Sequence, residues 1–241
     1  MDVSKFRFTF FAAAAALAAA LLPGSASFAQ ADDGLRIGFI GAGRMGGPLG
    51  LRFAEAGHEV FFSSRNPEEL TALVEQAGGN AQAGSPEQAA EFGDVVIIAV
   101  PYGALPEVGE RYGHLLQGKV VIDLGNPRED RDGPMARDAL AKGTGVASAE
   151  YLPGTRLVRA FNAISFVMVQ QEAHREGERI GVPIAGDDAE AVAIAERLVR
   201  DAGFDPVVVG SLETAARFDA GTSVYVRGMT ARELRDALDL E

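Results

Sequence analysis

"GFIGAGRMGGPLG", residues 38–50, decides how the rest of this chain is read. Three glycines stand in the spacing Gly41-x-Gly43-x-x-Gly46, directly after the apolar run 35–40 and before a helical stretch that continues to about Ala56 and stops at Gly57. Strand, glycine turn and helix in that order make a phosphate-binding unit. Gly41 permits the tight turn, Gly43 lets a pyrophosphate approach the backbone, and Gly46 lets helix and strand pack closely. The anion then faces the free N–H groups and the positive dipole end of the helix. Glycines that merely served turns would not need this spacing, so the stretch implies a bound dinucleotide.

Working outward, apolar runs and helical periodicities alternate at short intervals. "HEVFFSS" (58–64) reads as a second strand, 67–78 as a helix with Pro67 in its first turn, and 80–83 as a weak strand. Ser85, Pro86 and Gln88 make a helix start for 85–92. "DVVIIAV" (94–100) is continuously apolar, as expected for a parallel strand covered on both faces. A helix to about Leu116 and the strand "KVVIDL" (119–124) follow. Beyond them come strands at 156–161, 179–186 and 205–210, an alanine-rich helix at 188–202, and a final helix opened by the capping box Thr230 to Glu233. Residues 126–152, with glycines at 133, 143 and 145, read as irregular. The alternation predicts an α/β fold: a Rossmann-type doubly wound, mostly parallel sheet in a single compact domain over 35–241, with extra C-terminal strands.

The end of the second strand addresses the cofactor. NAD-binding versions place an acid there for the ribose 2′-hydroxyl, whereas this chain has Ser63-Ser64-Arg65-Asn66. Two hydroxyls and a guanidinium suit a 2′-phosphate, which favours NADP(H). A plain solvated turn, "RNPEE", is the competing reading, and Glu68 and Glu69 count towards it. Ligands of such sheets sit outside the carboxyl ends of the strands, so Val100-Pro101-Tyr102 and Gly125-Asn126-Pro127 are expected to border the nicotinamide.

Composition excludes several classes. The chain has 241 residues, a formal charge of −12 and no cysteine. The acidic balance argues against nucleic acid or an anionic membrane as partner, and disulfides are impossible. No Ser-His-Asp order, HExxH or metal-spaced cluster occurs, so no metal is expected. His58, His114 and His174 are scattered and read as surface or supporting residues. Asp123 and Glu150 are candidate acids, with Asp123 expected inside the sheet, and no catalytic residue is assigned. Hydride transfer between two bound rings needs positioning at roughly 3–3.5 Å rather than a side-chain acid.

The first residues stand apart. Lys5 and Arg7 precede the uncharged run 8–22, Pro23-Gly24 breaks it, and Ser27-Phe28-Ala29 places small residues before Gln30. This is the layout of a secretory signal over 1–29, followed by a linker at 30–34. A buried helix is the alternative for the apolar run. The signal implies a periplasmic or secreted protein; a cytoplasmic one would follow from a true start downstream.

Together, "IGFIGAGRMG", "FSSRNPEE", "DVVIIAVPYGALPEV", "GKVVIDLGNP" and "YLPGTRLVRAFNAI" resemble the NADPH-dependent deazaflavin (coenzyme F-420) reductase family, also called the F-420-dependent NADP oxidoreductases, which is related to the nucleotide-binding part of pyrroline-5-carboxylate reductases. The resemblance implies NADP held by Gly41, Gly43, Arg44, Met45 and Gly46, with Ser64 and Arg65 at the 2′-phosphate. It places Val100, Pro101 and Tyr102 along the nicotinamide, and Asn126, Phe161 and Asn162 around an acceptor pocket where a deazaflavin or flavin stacks; for Phe161 a core position is equally open. Hydride transfer between NADP(H) and a small-molecule acceptor of this kind is the implied activity, and a homodimer is compatible with it. Two departures stand out. Pro48 in "MGGPLG" is closer to 3-hydroxyisobutyrate-type dehydrogenases, which need a large helical second domain with a catalytic lysine, whereas Lys142 is the only lysine past 119. The export segment is foreign to the cytoplasmic members, which leaves room for an exported, non-catalytic nucleotide-binding protein that kept the fold.

Overall fold

In a computed structural model, which describes residues 34–241, the apolar runs 94–100 and 119–124 lie side by side at the centre of an eight-stranded sheet. The expected export signal and linker start lie outside the described residues. β1 (Arg36–Ile40) is followed by α1 (Gly46–Glu55), β2 (Glu59–Ser63), a 3-10 turn at Pro67–Leu70, α2 (Thr71–Ala77) and β3 (Ala81–Gly84). Then come α3 (Pro86–Phe92), β4 (Val95–Ile98), α4 (Leu105–Leu116) and β5 (Val120–Asp123). The order across the sheet is β3-β2-β1-β4-β5, continued by β6 (Arg156–Arg159), β7 (Gly181–Gly186) and β8 (Asp205–Gly210). β1 to β6 run parallel, in the doubly wound pattern that the alternation predicts. β7 is antiparallel to β6, and β8 is parallel to β7, so the added strands run against the nucleotide-binding ones.

Burial explains why the strands read as they do. Val95 to Ile98 are at most 1% exposed because helices cover both faces. One face packs Phe39, Phe53 and Phe62 under α1 and α9 (Ala189–Asp201), with Phe39 and Phe62 stacked at 5.8 Å. The other packs Val96, Ile98 and Leu116 under α4 and α7 (Thr144–Tyr151). Each fully buried phenylalanine contributes about 1.5–3 kcal/mol of transfer free energy.

The stretch 126–152 corrects the sequence reading. It is helical, in three short pieces: α5 (Glu129–Asp132), α6 (Pro134–Lys142) and α7. Gly133 (φ +70°) and Gly143 (φ +87°) are the junctions between them rather than breakers of all structure, and Pro134 starts α6 at its first position. α8 (Phe166–Gln171) is capped by Ser165, and α10 (Ala231–Ala237) opens with the expected Thr230–Glu233 box.

His58 is 1% exposed. Its Nδ1 accepts the Leu35 N–H at 2.9 Å, so Nε2 carries the hydrogen and donates to Asp201 Oδ2 at 3.0 Å. Burial holds its pKa below the ordinary 6.5, against the opposite pull of Asp201.

Candidate functional site

In a doubly wound sheet the strand order reverses between the first and fourth strands, and a crevice opens at their carboxyl ends. Here that crevice is bounded by the loop 41–46 after β1 and the loop 99–102 after β4. Gly41 adopts φ +98°, and a Cβ there would stand 2.8 Å from the Ala99 carbonyl oxygen and 2.9 Å from Val100 Cγ1. A Cβ on Gly46 would lie 2.2 Å from the Gly41 carbonyl oxygen. Both glycines are therefore required by the chain itself. Gly43 is different: a Cβ there meets nothing within 4 Å. The protein leaves the space above its backbone free.

The start of the helix behind the loop carries no negative group. α1 has no side-chain cap and no acidic residue in its first turn, as is also true of α2, α6 and α7. In the first turn of α1 the Gly47 N–H is taken by the Gly43 carbonyl at 2.9 Å, the Leu49 N–H by the Met45 carbonyl at 3.2 Å, and Pro48 has none, so the helix offers the loop mainly the positive end of its dipole. Met45 stands at the cap position, half-buried. Arg44 is exposed, its guanidinium 5.4 Å from the ring centroid of Phe166.

At the end of β2 the pair of hydroxyls is divided. Ser63 is fully buried; its hydroxyl donates to the Phe39 carbonyl at 2.6 Å and accepts the Gly41 N–H at 3.3 Å. It pins the glycine loop to the sheet, which corrects the reading of both hydroxyls as phosphate ligands. Ser64 is half-buried, and its hydroxyl accepts the Asn66 N–H at 3.1 Å. Arg65 is exposed and makes no ion pair or hydrogen bond among the described residues. Beside this end, between α1 and α2, lies a cavity of about 400 Å3 that touches Gly43, Gly47, Glu69 and Leu73. A groove of about 350 Å3 around Pro153, Arg156 and Asp187 belongs to the opposite end of the sheet, where β6 begins and β7 ends.

On the far side of the crevice, side chains that the sequence placed along the cofactor turn inward. Val100 is half-buried and Pro101 exposed, but Tyr102 is 1% exposed and its hydroxyl lies 3.2 Å from Ser148 Oγ. Burial raises the Tyr102 pKa far above its ordinary value. Phe161 is also fully buried, edge-on to Phe53 at 6.2 Å, with φ +60°. Of the two readings for it, the structure places the ring in the core. Asn126 and Asn162 do come together: Asn126 Nδ2 donates to the Asn162 carbonyl at 2.9 Å, joining the loops after β5 and β6.

Beneath these loops sits a group that the sequence reading missed. Arg159 is 0% exposed; its Nη1 lies 2.5 Å from Asp123 Oδ2, and its Nη2 donates to the Gly125 carbonyl at 2.6 Å. Asp123 also accepts from the Gly125 N–H and the Ser148 hydroxyl, each at 2.8 Å. Asp219, 3.6 Å from the guanidinium, accepts from the Thr144 hydroxyl and N–H, and burial raises its pKa against the pull of Arg159 and Thr144. Asp123 thus lies at the inner end of β5, as expected. Glu150, the other candidate acid, is exposed and paired with Lys142. Among the described residues no cluster of histidine and acid groups could hold a metal ion.

Residues 36–127 match the family model described as "NADP oxidoreductase coenzyme F420-dependent". The chain is 31% identical over 192 residues to metalloreductase STEAP3 of Rattus norvegicus, covering 77% of this chain and only 36% of that protein. It is 28% identical over 210 residues to the F420-dependent NADP reductase of Methanothermobacter thermautotrophicus, covering 82% and 90% respectively. Among solved structures, a hypothetical protein from Sinorhizobium meliloti superposes with a TM-score of 0.71 at 24% identity, over 81% of this chain and 95% of that one, and shares the fold.

Proposed function

Since the chain belongs to the coenzyme F420-dependent NADP oxidoreductase family, through the nucleotide-binding domain at residues 36–127, we propose that it transfers a hydride between NADP(H) and a planar flavin-like or deazaflavin acceptor. The observation that carries the reading is the bare loop at Gly43 in front of the uncapped α1, with Arg65, unpaired among the described residues, at the end of β2. This set fits a dinucleotide with a 2′-phosphate. Backbone N–H groups of the loop ahead of α1 bind the pyrophosphate, and the helix dipole favours its charge. Arg65 and the Ser64 hydroxyl bind the 2′-phosphate through charge-assisted hydrogen bonds. NADPH, when bound, supplies the hydride from its nicotinamide ring.

The chain's own contribution is to place that ring. Ser63 holds the loop at a fixed height by bonding Phe39 and Gly41 at once. Val100 covers Gly41 on the β4 side, and the joined loops of Asn126 and Asn162 form the other wall. No proton need move at a side chain, so catalysis on this reading comes from orientation. The two relatives support the halves of the proposal differently: one is an F420-dependent NADP reductase and the other a metalloreductase. Stopped-flow oxidation of bound NADPH, with the deazaflavin F420, FMN and FAD offered in turn, tests the acceptor. Hydride transfer to one of the three is expected; NADPH that binds and is oxidised by none of them sinks this acceptor class.

A further inference from the structure

Arg159 is the largest fully buried side chain among the described residues, and stability alone does not call for it. A buried ion pair of this kind is commonly replaced by apolar groups of similar volume without loss. Its contacts share one target. Nη1 donates to the Asp123 carbonyl at 3.2 Å as well as to its carboxylate, and Nη2 takes the Gly125 carbonyl at 2.6 Å. Asp123 in turn takes the Gly125 N–H, and Ser148 links it to Tyr102 in the loop after β4. The network clamps the peptide between Gly125 and Asn126.

That clamp has a directional consequence. In a trans peptide the carbonyl and the following N–H point opposite ways. With the Gly125 carbonyl fixed on Arg159, the Asn126 N–H is turned away from the guanidinium, at the carboxyl end of β5. It has no protein partner among the described residues. The Asn126 side chain is oriented too, because its Nδ2 is committed to the Asn162 carbonyl at 2.9 Å. Its Oδ1 is left with a single long contact of 3.5 Å to Asn162 Nδ2. One half-buried residue therefore offers a backbone donor and a side-chain acceptor, which is the complement of a primary carboxamide.

We propose that Asn126 receives the carboxamide of the nicotinamide, its N–H donating to the carboxamide oxygen and its Oδ1 accepting from the carboxamide NH2, and that Arg159 is the positioning residue that sets this peptide. The inference rests on the NADP reading above and names the group that fixes the ring's rotation at that same site.

Two titrations test it, each with three probes: NADP+, its nicotinic-acid counterpart, and 2′-phospho-ADP-ribose, which lacks the ring. The wild-type protein is expected to bind NADP+ about tenfold more tightly than the nicotinic-acid form, whose carboxylate has no N–H to give Oδ1. Arg159→Lys keeps a charge beside Asp123 and loses the arm on Gly125. It is expected to bind NADP+ about tenfold more weakly while 2′-phospho-ADP-ribose binds as before. A melting curve identifies a folded variant; if Arg159→Lys does not fold, the wild-type comparison decides alone. Equal affinity of the wild-type protein for NADP+ and its nicotinic-acid counterpart overturns the proposal. So does a variant that weakens NADP+ and 2′-phospho-ADP-ribose by the same factor. A wild-type protein that binds 2′-phospho-ADP-ribose but shows no carboxamide preference refutes the Asn126 assignment and leaves the NADP reading standing; one that binds none of the probes removes both.

Discussion

The loop at residues 41–46 leaves its backbone bare over Gly43, whereas the loops after β5 and β6 are tied from below by buried charge. The first region depends on absent side chains and an uncapped helix end, so its shape hardly relies on distant residues. Among the described residues one side-chain hydrogen bond reaches it, from Ser63 on the neighbouring strand. The second region joins Tyr102, Asp123, Ser148, Arg159 and Asp219 from five separate segments. A phosphate can be met by a local piece of backbone because its charge does most of the selection. A neutral ring has to be oriented by walls, and rigid walls need connections through the core.

That contrast predicts where mutations act. The largest effect is on the connected side: Arg159→Ala leaves Asp123 buried and unpaired, and is expected to lower stability by about 3–5 kcal/mol, on the order of 10 °C in melting temperature. A double replacement, Asp123→Leu with Arg159→Met, should recover most of that loss. If the double variant melts as low as the single one, the charge pair is not the reason for the loss. Next comes the bare side. Gly43→Ala places its methyl in open space, so the melting temperature should not move, while NADPH affinity falls about tenfold because the pyrophosphate is pushed off the backbone. Unchanged affinity in this variant would remove Gly43 from the site.

The smallest effect lies outside the crevice. His58 is held neutral in the fold, so the unfolded chain takes up a proton at higher pH than the folded one does. Its contribution is complete above the ordinary pKa of 6.5 and is lost as pH falls below it. Melting curves between pH 8 and pH 5 should decline more steeply for the wild-type protein than for His58→Asn; parallel curves would show that His58 does not titrate on unfolding.

The same contrast decides what was legible in the sequence. Gly41, Gly43 and Gly46 could be read because their meaning is carried by spacing within one turn. The capping boxes at Ser85 and Thr230 were legible for the same reason. The division of labour between Ser63 and Ser64 was not, because it depends on which of two adjacent residues faces Phe39 across the sheet. The helices α5, α6 and α7 are hard to read because Gly133 and Gly143 divide the stretch into pieces too short for a clear periodicity; Pro134 at the first position of α6 is the available signal. Arg159 carried a signal too, a charge inside the strand "RLVRAF", but its partners Asp123 and Asp219 are distant in sequence and only the fold brings them together. The reversal of β7 against β6 left no mark in the alternation of apolar runs.

The central claim is that the bare loop and Arg65 hold an NADP molecule, and one titration addresses it most directly: the affinities of NADPH and NADH for the wild-type protein and for Arg65→Ala. The account predicts clear preference for NADPH in the wild-type protein. It also predicts a selective loss of about 1.5–3 kcal/mol of NADPH binding in the variant, with NADH little changed and the melting temperature unmoved. Equal affinity for the two nucleotides, or a preference that survives the loss of Arg65, would contradict it.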